Sequence, residues 1–513
     1  MIAARVILQR HPLPIALAAG LISATGVAPI GAWPLTLVAF ALLVWLVGGA
    51  SDARSAAARG WWFGLGHFTL GLNWIAQAFT FQDAMPHWMG YVAVVGLSMY
   101  LALFVALAAW GTRRLAPASA ATTALVFAGL WILTEYLRAT LFTGFAWNPL
   151  ASIWADSGPR GLTRWIGTYG LSGFTVLVAG LVASMLRQRG RPDAIFIGLF
   201  VAVAIVTAIL PRPSVPLAVR SVGSLVRIIQ PNIGQAQRNG EGQEEARIAA
   251  LERLTGVPSL APRLILWPEA AVPFFIEQEA WGRDRIARLL GPRDLIVTGG
   301  DALVYDAAGK LVGARNSVFA MTPDRRLLGR YDKAHLVPGG EYLPMRPLMS
   351  AIGLARLVPG DLDFLPGAGP QTLTLPGFGR VGMQLCYEMI FSGEVVDRAN
   401  RPDFVFNPSN DAWFGSWGPP QHLAQARLRA VEEGLPVVRS TPTGISAVID
   451  ADVRLLAALP LGKPGFIQMR LPEPHPPTFF ARHGNLVPLA LALMLLVAGV
   501  APGLQRRYGK RRT

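Results

Sequence analysis

Charged residues are scarce in this chain. Asp, Glu, Lys and Arg make up 15% of its 513 residues, against about a quarter in ordinary soluble domains, while 52% are hydrophobic and mean hydropathy is +0.40. A simple soluble protein is excluded. Cysteine is scarcer still: the single Cys386 rules out an internal disulfide framework and any Cys-rich zinc or iron–sulfur site. H-E-x-x-H, P-loop and properly flanked G-x-G-x-x-G signatures are missing too. Metal, ATP and dinucleotide readings drop out, so neither metal nor cofactor is expected. With 54 Gly and 40 Pro in 513 residues, the chain also lies below low-complexity composition.

What is present is positive charge and long apolar runs. The net charge of +15 is not gathered on one soluble face, which argues against nucleic acid. Much of it falls in short arginine groups between apolar segments, the pattern that orients a multi-spanning membrane protein. A crossing helix needs about 20 mostly apolar residues. Eight spans are expected near 13–29, 35–49, 60–80, 88–110, 122–140, 170–186, 194–210 and 486–501, the first two as a tight hairpin about Pro29 to Pro34. Arg5, Arg10, Arg54, Arg59, Arg113, Arg114, Arg187, Arg189, Arg191 and the basic tail fall on one side. The connections 29–34 and 82–87 carry no Lys or Arg. Both termini are therefore expected in the cytoplasm.

The expected organisation is a bundle of seven spans over 1–210, a globular domain outside the cytoplasm over 211–480, and an eighth span with a basic tail over 481–513. The middle stretch is long enough for its own core. Its short β-branched runs predict strands at Leu225–Gln230, Leu264–Trp267, Leu295–Thr298, Ser317–Met321, Val381–Leu385, Phe404–Phe406 and Ile445–Ile449. Helices are predicted over Glu244–Leu254, Arg283–Leu290 and His422–Glu433, the last stopped by Gly434. Several strands run straight into polar residues, where sheets covered by helices commonly gather their chemistry.

Two such ends, with the polar segment 330–335, carry candidate catalytic groups. Cys386 follows an apolar strand. A lone cysteine is usually a small buried hydrophobe, but an unpaired thiol in an oxidising compartment suggests a task. A nucleophilic role would need a base or a nearby cation, because a free thiol is only a few per cent ionised at about pH 7. Glu269 ends Leu264-Ile265-Leu266-Trp267-Pro268-Glu269, an apolar run that would desolvate a carboxylate and favour proton transfer. Lys333 could lower the thiol pKa and stabilise an oxyanion. Each alone also fits an ordinary exposed or paired residue. His335 and His422 leave a Cys–His pair open as an alternative. Within the spans, Glu135 and Arg138 sit three residues apart on one helix face, as an ion pair or clamp.

The order Glu269, Lys333, Cys386 resembles the Glu-Lys-Cys triad of the nitrilase superfamily. Trp267-Pro268-Glu269-Ala270-Ala271-Val272-Pro273, Tyr331-Asp332-Lys333-Ala334-His335-Leu336-Val337-Pro338-Gly339-Gly340-Glu341-Tyr342, Cys386-Tyr387-Glu388 and Asn407-Pro408-Ser409-Asn410-Asp411-Ala412-Trp413-Phe414 narrow the resemblance to the apolipoprotein N-acyltransferase family. So do Gln421-His422 and Arg439-Ser440-Thr441. In the membrane part, Glu135-Tyr136-Leu137-Arg138 and Thr143-Gly144-Phe145-Ala146-Trp147 agree.

The resemblance implies an α-β-β-α sandwich on an eight-span bundle in the bacterial inner membrane, with the sandwich in the periplasm. It implies transfer of an acyl chain from a phospholipid to the α-amino group of an apolipoprotein's S-diacylglyceryl-cysteine, and supporting roles for Glu341, Tyr387 and Glu388. Several relatives carry a tryptophan shortly after the Gln-x-Asn-Ile motif, whereas Gln230-Pro231-Asn232-Ile233 is followed here by Gln235 and Gln237. Aromatic contact with the acyl chain is therefore expected from Trp413, Phe414 or Trp417. A monomer is expected. A membrane-tethered amidase hydrolysing a small amide would use the same triad, but leaves eight spans unexplained. A transporter would need more polar residues than the spans contain.

Overall fold

The computed structural model describes residues 9–82, 85–116, 119–187, 224–235, 237, 242–351, 353–357 and 363–509. The chain divides into two compact units. A helical unit comprises 1–73, 91–215 and 482–513, and an α/β unit comprises 74–90 and 216–481.

Four helices among the described residues are long and apolar enough to cross a membrane: Met89–Leu115, Ala120–Thr140, Arg160–Ser184 and Leu486–Gly503. Pro12–Gly26 and Trp33–Gly48 are apolar but shorter. The expected span 194–210 lies outside the described residues. The apolar run read as a span over 60–80 is divided in the structure: its helix covers Ala53–Gly71, started by the Asp52 side chain accepting from Ser55 N–H. Beyond Asn73 the chain passes into the α/β unit. Hydropathy could not separate the two parts, because both are apolar and aromatic.

Close approach within the helical unit depends on small residues. A Cβ at Gly20 would lie 2.0 Å from Phe63 O, and one at Gly66 would lie 2.4 Å from Leu17 O. Helices Pro12–Ser23 and Ala53–Gly71 therefore touch backbone to backbone. The Glu135 and Arg138 pair acts as a clamp. Glu135 Oε1 accepts from Leu150 N–H at 2.8 Å, and Arg138 donates to Phe145 O at 3.0 Å and Trp147 O at 2.8 Å. The two side chains are 3.9 Å apart, so each spends its charge on the loop more than on its partner.

The α/β unit holds two six-stranded mixed sheets. The first runs β12 (Gly465–Arg470), β1 (Leu225–Gln230), β2 (Leu264–Leu266), β3 (Leu295–Tyr305), β4 (Leu311–Met321), β5 (Leu327–Asp332). The second runs β11 (Leu455–Ala458), β10 (Ala447–Ile449), β9 (Val437–Ser440), β8 (Phe404–Pro408), β7 (Gly379–Met383), β6 (Gln371–Leu375). β1, β2 and β3 are parallel to one another, as are β7, β8 and β9.

Alternation of side chains along each strand explains the layers. Val226, Ile228, Leu266, Val297 and Val318 turn toward Val381, Met383, Phe404, Phe406 and Val438, forming a core between the sheets. Ile229, Ile265, Ile296 and Phe319 turn the other way and pack on Ile248, Leu251 and Ile286 of helices Glu244–Thr255 and Ala280–Ala287. On the far side Val405, Val437 and Ile449 pack on Leu423, Ala426 and Ala430 of helix Gly418–Glu433. The result is the α-β-β-α order that the resemblance implied. Gly434 ends that last helix in the left-handed conformation at φ 66°.

Candidate active site

The parallel strands deliver their following loops to one place, and the three sequence candidates meet there. Glu269 lies three residues past β2, Lys333 directly follows β5, and Cys386 follows β7. Gly299 on β3 lets the Glu269 loop fold tightly against it. A Cβ there would stand 2.4 Å from Ala270 N and 2.7 Å from Glu269 Cα. Glu269, Lys333 and Cys386 are all buried, the last only 4% exposed.

Lys333 Nζ lies between two carboxylates, 3.0 Å from Glu341 Oε1 and 3.5 Å from Glu269 Oε1. Asn316 Nδ2 bridges the same pair, donating to Glu269 at 2.7 Å and Glu341 at 2.9 Å. Glu341 is further held by Val337 N–H at 2.8 Å, and Glu269 Oε2 accepts from Asn410 N–H at 2.5 Å. Burial alone would discharge the ammonium. Glu341 and Glu269 outweigh it and lift the Lys333 pKa above its ordinary value, so the lysine stays cationic.

Cys386 sits at φ +47° in a turn that opens the short helical stretch Cys386–Ile390. This conformation is strained for a residue with a Cβ. Burial pushes the thiol pKa up, Glu269 adds to the rise, and Lys333 opposes it. The resting sulfur is therefore a thiol. The thiol proton must be handed to a base as the sulfur reacts.

Glu388 fastens this turn to the lysine loop. Its Oε2 accepts from Leu385 N–H at 2.7 Å, while Oε1 accepts from Tyr331 O–H and Ala334 N–H at 2.7 Å and His335 N–H at 3.2 Å. Burial raises the Glu388 carboxyl to about 7, with the Tyr331 hydroxyl and the backbone donors holding it down. Tyr387 packs edge-on to Phe391, whose other contact is the stacked ring of His335 at 4.2 Å.

Neither histidine is arranged as the partner of a Cys–His pair. His335 faces Glu394 at 3.9 Å. His422 Nε2 donates to the backbone carbonyl of Cys386 at 3.0 Å, and its Nδ1 faces Asp411 Oδ1 at 3.1 Å and an Arg439 nitrogen at 3.2 Å. Burial lowers the His422 pKa, and the Arg439 charge lowers it further. Burial works against the Asp411 charge, but Arg439, His422 and the Ser409 hydrogen bond together outweigh it and the carboxyl lies below its usual range.

Of the three aromatic candidates, Phe414 is buried, and Trp413 and Trp417 are half-buried. Phe414 meets Trp74 with ring centroids 4.7 Å apart, and Trp413 meets Phe81 at 5.8 Å.

Family models match the chain in two stretches: "Apolipoprotein N-acyltransferase N-terminal domain" over residues 19–181 and "Carbon-nitrogen hydrolase" over residues 225–473. An "Apolipoprotein N-acyltransferase" of Rhodopseudomonas palustris is 37% identical across 95% of this chain and 95% of its own length. One of Bradyrhizobium diazoefficiens is 38% identical across 97% and 95%. The chain belongs to the apolipoprotein N-acyltransferase family. Among solved structures, an amidase from Nesterenkonia sp. is 18% identical, covers 48% of this chain and 90% of that one, and superposes with a TM-score of 0.31.

In this family member, sequence reasoning missed Asn316, Asn410 and Gln235 as residues of the site. Asn410 Nδ2 donates to Gln235 Oε1 at 3.0 Å, so the segment after Gln230-Pro231-Asn232-Ile233 reaches the Glu269 neighbourhood through an amide. Asn410 stood inside a quoted motif and could have been singled out. Asn316 carries no signal beyond being a polar residue on a strand otherwise rich in apolar ones.

Proposed function

We propose that this protein moves a fatty acyl chain from a phospholipid, through a thioester on Cys386, to the α-amino group of the N-terminal S-diacylglyceryl-cysteine of apolipoproteins. The observation that carries the reading is identity to relatives named apolipoprotein N-acyltransferase over 95% of the chain, so that helical and α/β parts match together.

Glu269 is the proton carrier. It takes the Cys386 proton as sulfur attacks the ester carbonyl carbon, and returns it to the glycerol oxygen as the carbon–oxygen bond breaks. Lysophospholipid leaves and a thioester remains. The oxyanion formed on the way is met by the Lys333 ammonium and the Tyr387 N–H. In the second half the acceptor amine attacks the thioester carbon, Glu269 takes its proton, the carbon–sulfur bond breaks, and the sulfur regains a proton from Glu269. Glu341 holds the ammonium in place, and Glu388 holds the two loops together. Trp413, Phe414 and Trp417 provide apolar contact for the acyl chain. Because Cys386 is buried, side chains about the site move aside for the chain to enter.

Apolar helices and two lipid substrates place this chemistry in a membrane. We read eight crossings, the third now within 53–71, with both termini cytoplasmic and the α/β unit on the outer face of the bacterial inner membrane. The protein acts as a monomer.

The test is intact-mass analysis after incubation with phospholipid alone. One acyl chain is expected on the protein, absent from a folded Cys386→Ser variant that also fails to acylate lipoprotein. Normal transfer by that variant would remove the nucleophile assignment.

A further inference from the structure

Among the buried ionisable groups that the mechanism above leaves unused, one cluster adjoins the cysteine turn. Asp411, His422 and Arg439 are each fully or almost fully buried, behind the turn that carries Cys386. Buried charge is costly unless it is satisfied, and here all of it is except at the Arg439 Nε, which has no partner among the described residues. Arg439 donates to Asp411 Oδ2 at 2.6 Å and to Asn407 Oδ1 at 2.5 Å, while Ser409 O–H donates to Asp411 Oδ1 at 2.7 Å. Asp411 and Arg439 cancel, so the cluster is neutral only if the imidazole is neutral.

Hydrogen-bond chemistry then fixes where one ring proton sits. A carbonyl oxygen only accepts, so the 3.0 Å contact from His422 Nε2 to Cys386 O requires the proton on Nε2. Nδ1 faces both the Asp411 Oδ1 carboxylate oxygen at 3.1 Å, which only accepts, and an Arg439 nitrogen at 3.2 Å, which only donates, so the proton on Nε2 is the one the geometry requires. Burial and the Arg439 charge oppose a second proton on the ring, Asp411 and the Cys386 carbonyl favour one, and the balance lies below the ordinary imidazole pKa. Asn407 Nδ2, which donates to Gln384 O at 2.7 Å, lies 3.5 Å from the same Cys386 carbonyl and supports its placement.

The Cys386–Tyr387 peptide is trans, so its C=O and N–H point in opposite directions from one rigid plane. Fixing the carbonyl on one side aims the N–H on the other. The residue that leads into this plane is itself strained at φ +47°, and an unsupported turn would relax by rotating it.

We infer that His422, donating its Nε2 proton and seated on Arg439 and Asp411, is a positioning residue that holds the Cys386 carbonyl and so aims the Tyr387 N–H at the oxyanion. This deepens the proposed function and rests on it. His422 touches neither substrate nor sulfur in this role. It governs acylation, where an oxyanion forms, and leaves displacement chemistry at the sulfur untouched.

That difference supplies the test, because Cys386 is the sole cysteine and alkylation by iodoacetamide forms no oxyanion. In the full-length protein, single-turnover acylation by phospholipid and alkylation by iodoacetamide are measured for His422→Phe, His422→Asn and His422→Gln. Glutamine can present an amide N–H near the position of Nε2, whereas asparagine is too short and phenylalanine has no donor. Acylation is expected to fall about 10- to 100-fold in the Phe and Asn variants, approaching the loss for deletion of an oxyanion donor. The Gln variant should stay within about fivefold of the parent, and alkylation within about threefold in all of them. The inference is overturned if the Phe variant acylates at the parental rate, if alkylation falls in step with acylation, or if Gln is no better than Asn. Failure of the parent itself to form an acyl adduct would instead sink the nucleophile assignment, and this inference with it.

Discussion

Glu388 receives more directed hydrogen bonds than the groups that do the chemistry, and this makes it sensitive to pH. Four donors converge on its two oxygens, an arrangement that suits a carboxylate and leaves a carboxyl proton poorly accommodated. Burial nonetheless lifts its pKa to about 7. As pH falls through that value the proton displaces a donor, and the contact between the cysteine turn and the lysine loop loosens. The acylation rate is therefore expected to show an acidic limb near pH 7. The contribution to stability runs oppositely: from about pH 4.5 to 7 the folded state holds a proton that the unfolded chain has lost, so this group's share of stability declines as pH rises. Tyr331→Phe removes one donor that favours the charged form. A hydrogen bond to a charged group contributes about 1.5–3 kcal/mol, so the limb should move to higher pH by about one unit. A pH profile of single-turnover acylation for both proteins checks this, and an unmoved limb would assign it to another group.

At the scale of elements, β3 shows how a strand shapes a loop it does not belong to. Gly299 N–H donates to Pro268 O at 3.2 Å, and Ala271 N–H donates to Gly299 O at 3.0 Å, binding the Glu269 turn to the strand. Gly299 lies on a regular strand, so alanine would cost nothing in backbone conformation there and fails only through contact with Ala270 N and Glu269 Cα. Backbone cannot give way as a side chain can. Gly299→Ala is expected to destabilise by about 1–3 kcal/mol, as overpacking does, and to slow acylation at least tenfold by displacing Glu269. Thermal unfolding and single-turnover acylation measure the two effects; an active protein of parental stability would show that the turn is softer than its contacts imply.

The same elements explain what could be read from sequence. Most central strands were legible: β1 appears at its expected residues, and β2, β8 and β10 differ by only one or two at their ends, because buried strands are nearly uninterrupted apolar runs, whereas central, buried β9 was missed because Arg439 and Ser440 interrupt its apolar run. Edge strands β5, β6, β11 and β12 were not anticipated. Half-exposed sequences such as Gln371-Thr372-Leu373-Thr374-Leu375 look like loop until a neighbour supplies their hydrogen bonds. Of the site, Glu269, Lys333 and Cys386 were readable, since all three stand in motifs and Glu269 and Cys386 also end apolar runs. Asn316 was not, and Asp411, His422 and Arg439 were legible as motif residues but not as a group, because their meaning lies in partners up to 47 residues away in sequence, as for Asn316 and Glu269.

At the scale of the whole molecule, the least legible feature is the segment 74–90. It lies in sequence between helices Ala53–Gly71 and Met89–Leu115 of the helical unit, yet it packs as part of the α/β unit. Its Trp74 ring meets Phe414, and Phe414 also lies 5.8 Å from the His422 ring. A residue numbered among the membrane helices thus supports an aromatic more than 300 positions away, beside the turn that bears the sulfur. If Phe414 contacts the acyl chain, Trp74→Ala should loosen that contact without touching the reacting groups. An aromatic pair contributes about 0.5–1.5 kcal/mol beyond its area, which corresponds to a KM for phospholipid raised about threefold to tenfold. Turnover at saturating lipid and iodoacetamide alkylation of Cys386 should remain near parental values. Steady-state kinetics with phospholipid varied at fixed acceptor distinguishes the cases. A fall in kcat with unchanged KM would mean that Trp74 supports the catalytic turn, and would withdraw Phe414 from the acyl-chain wall.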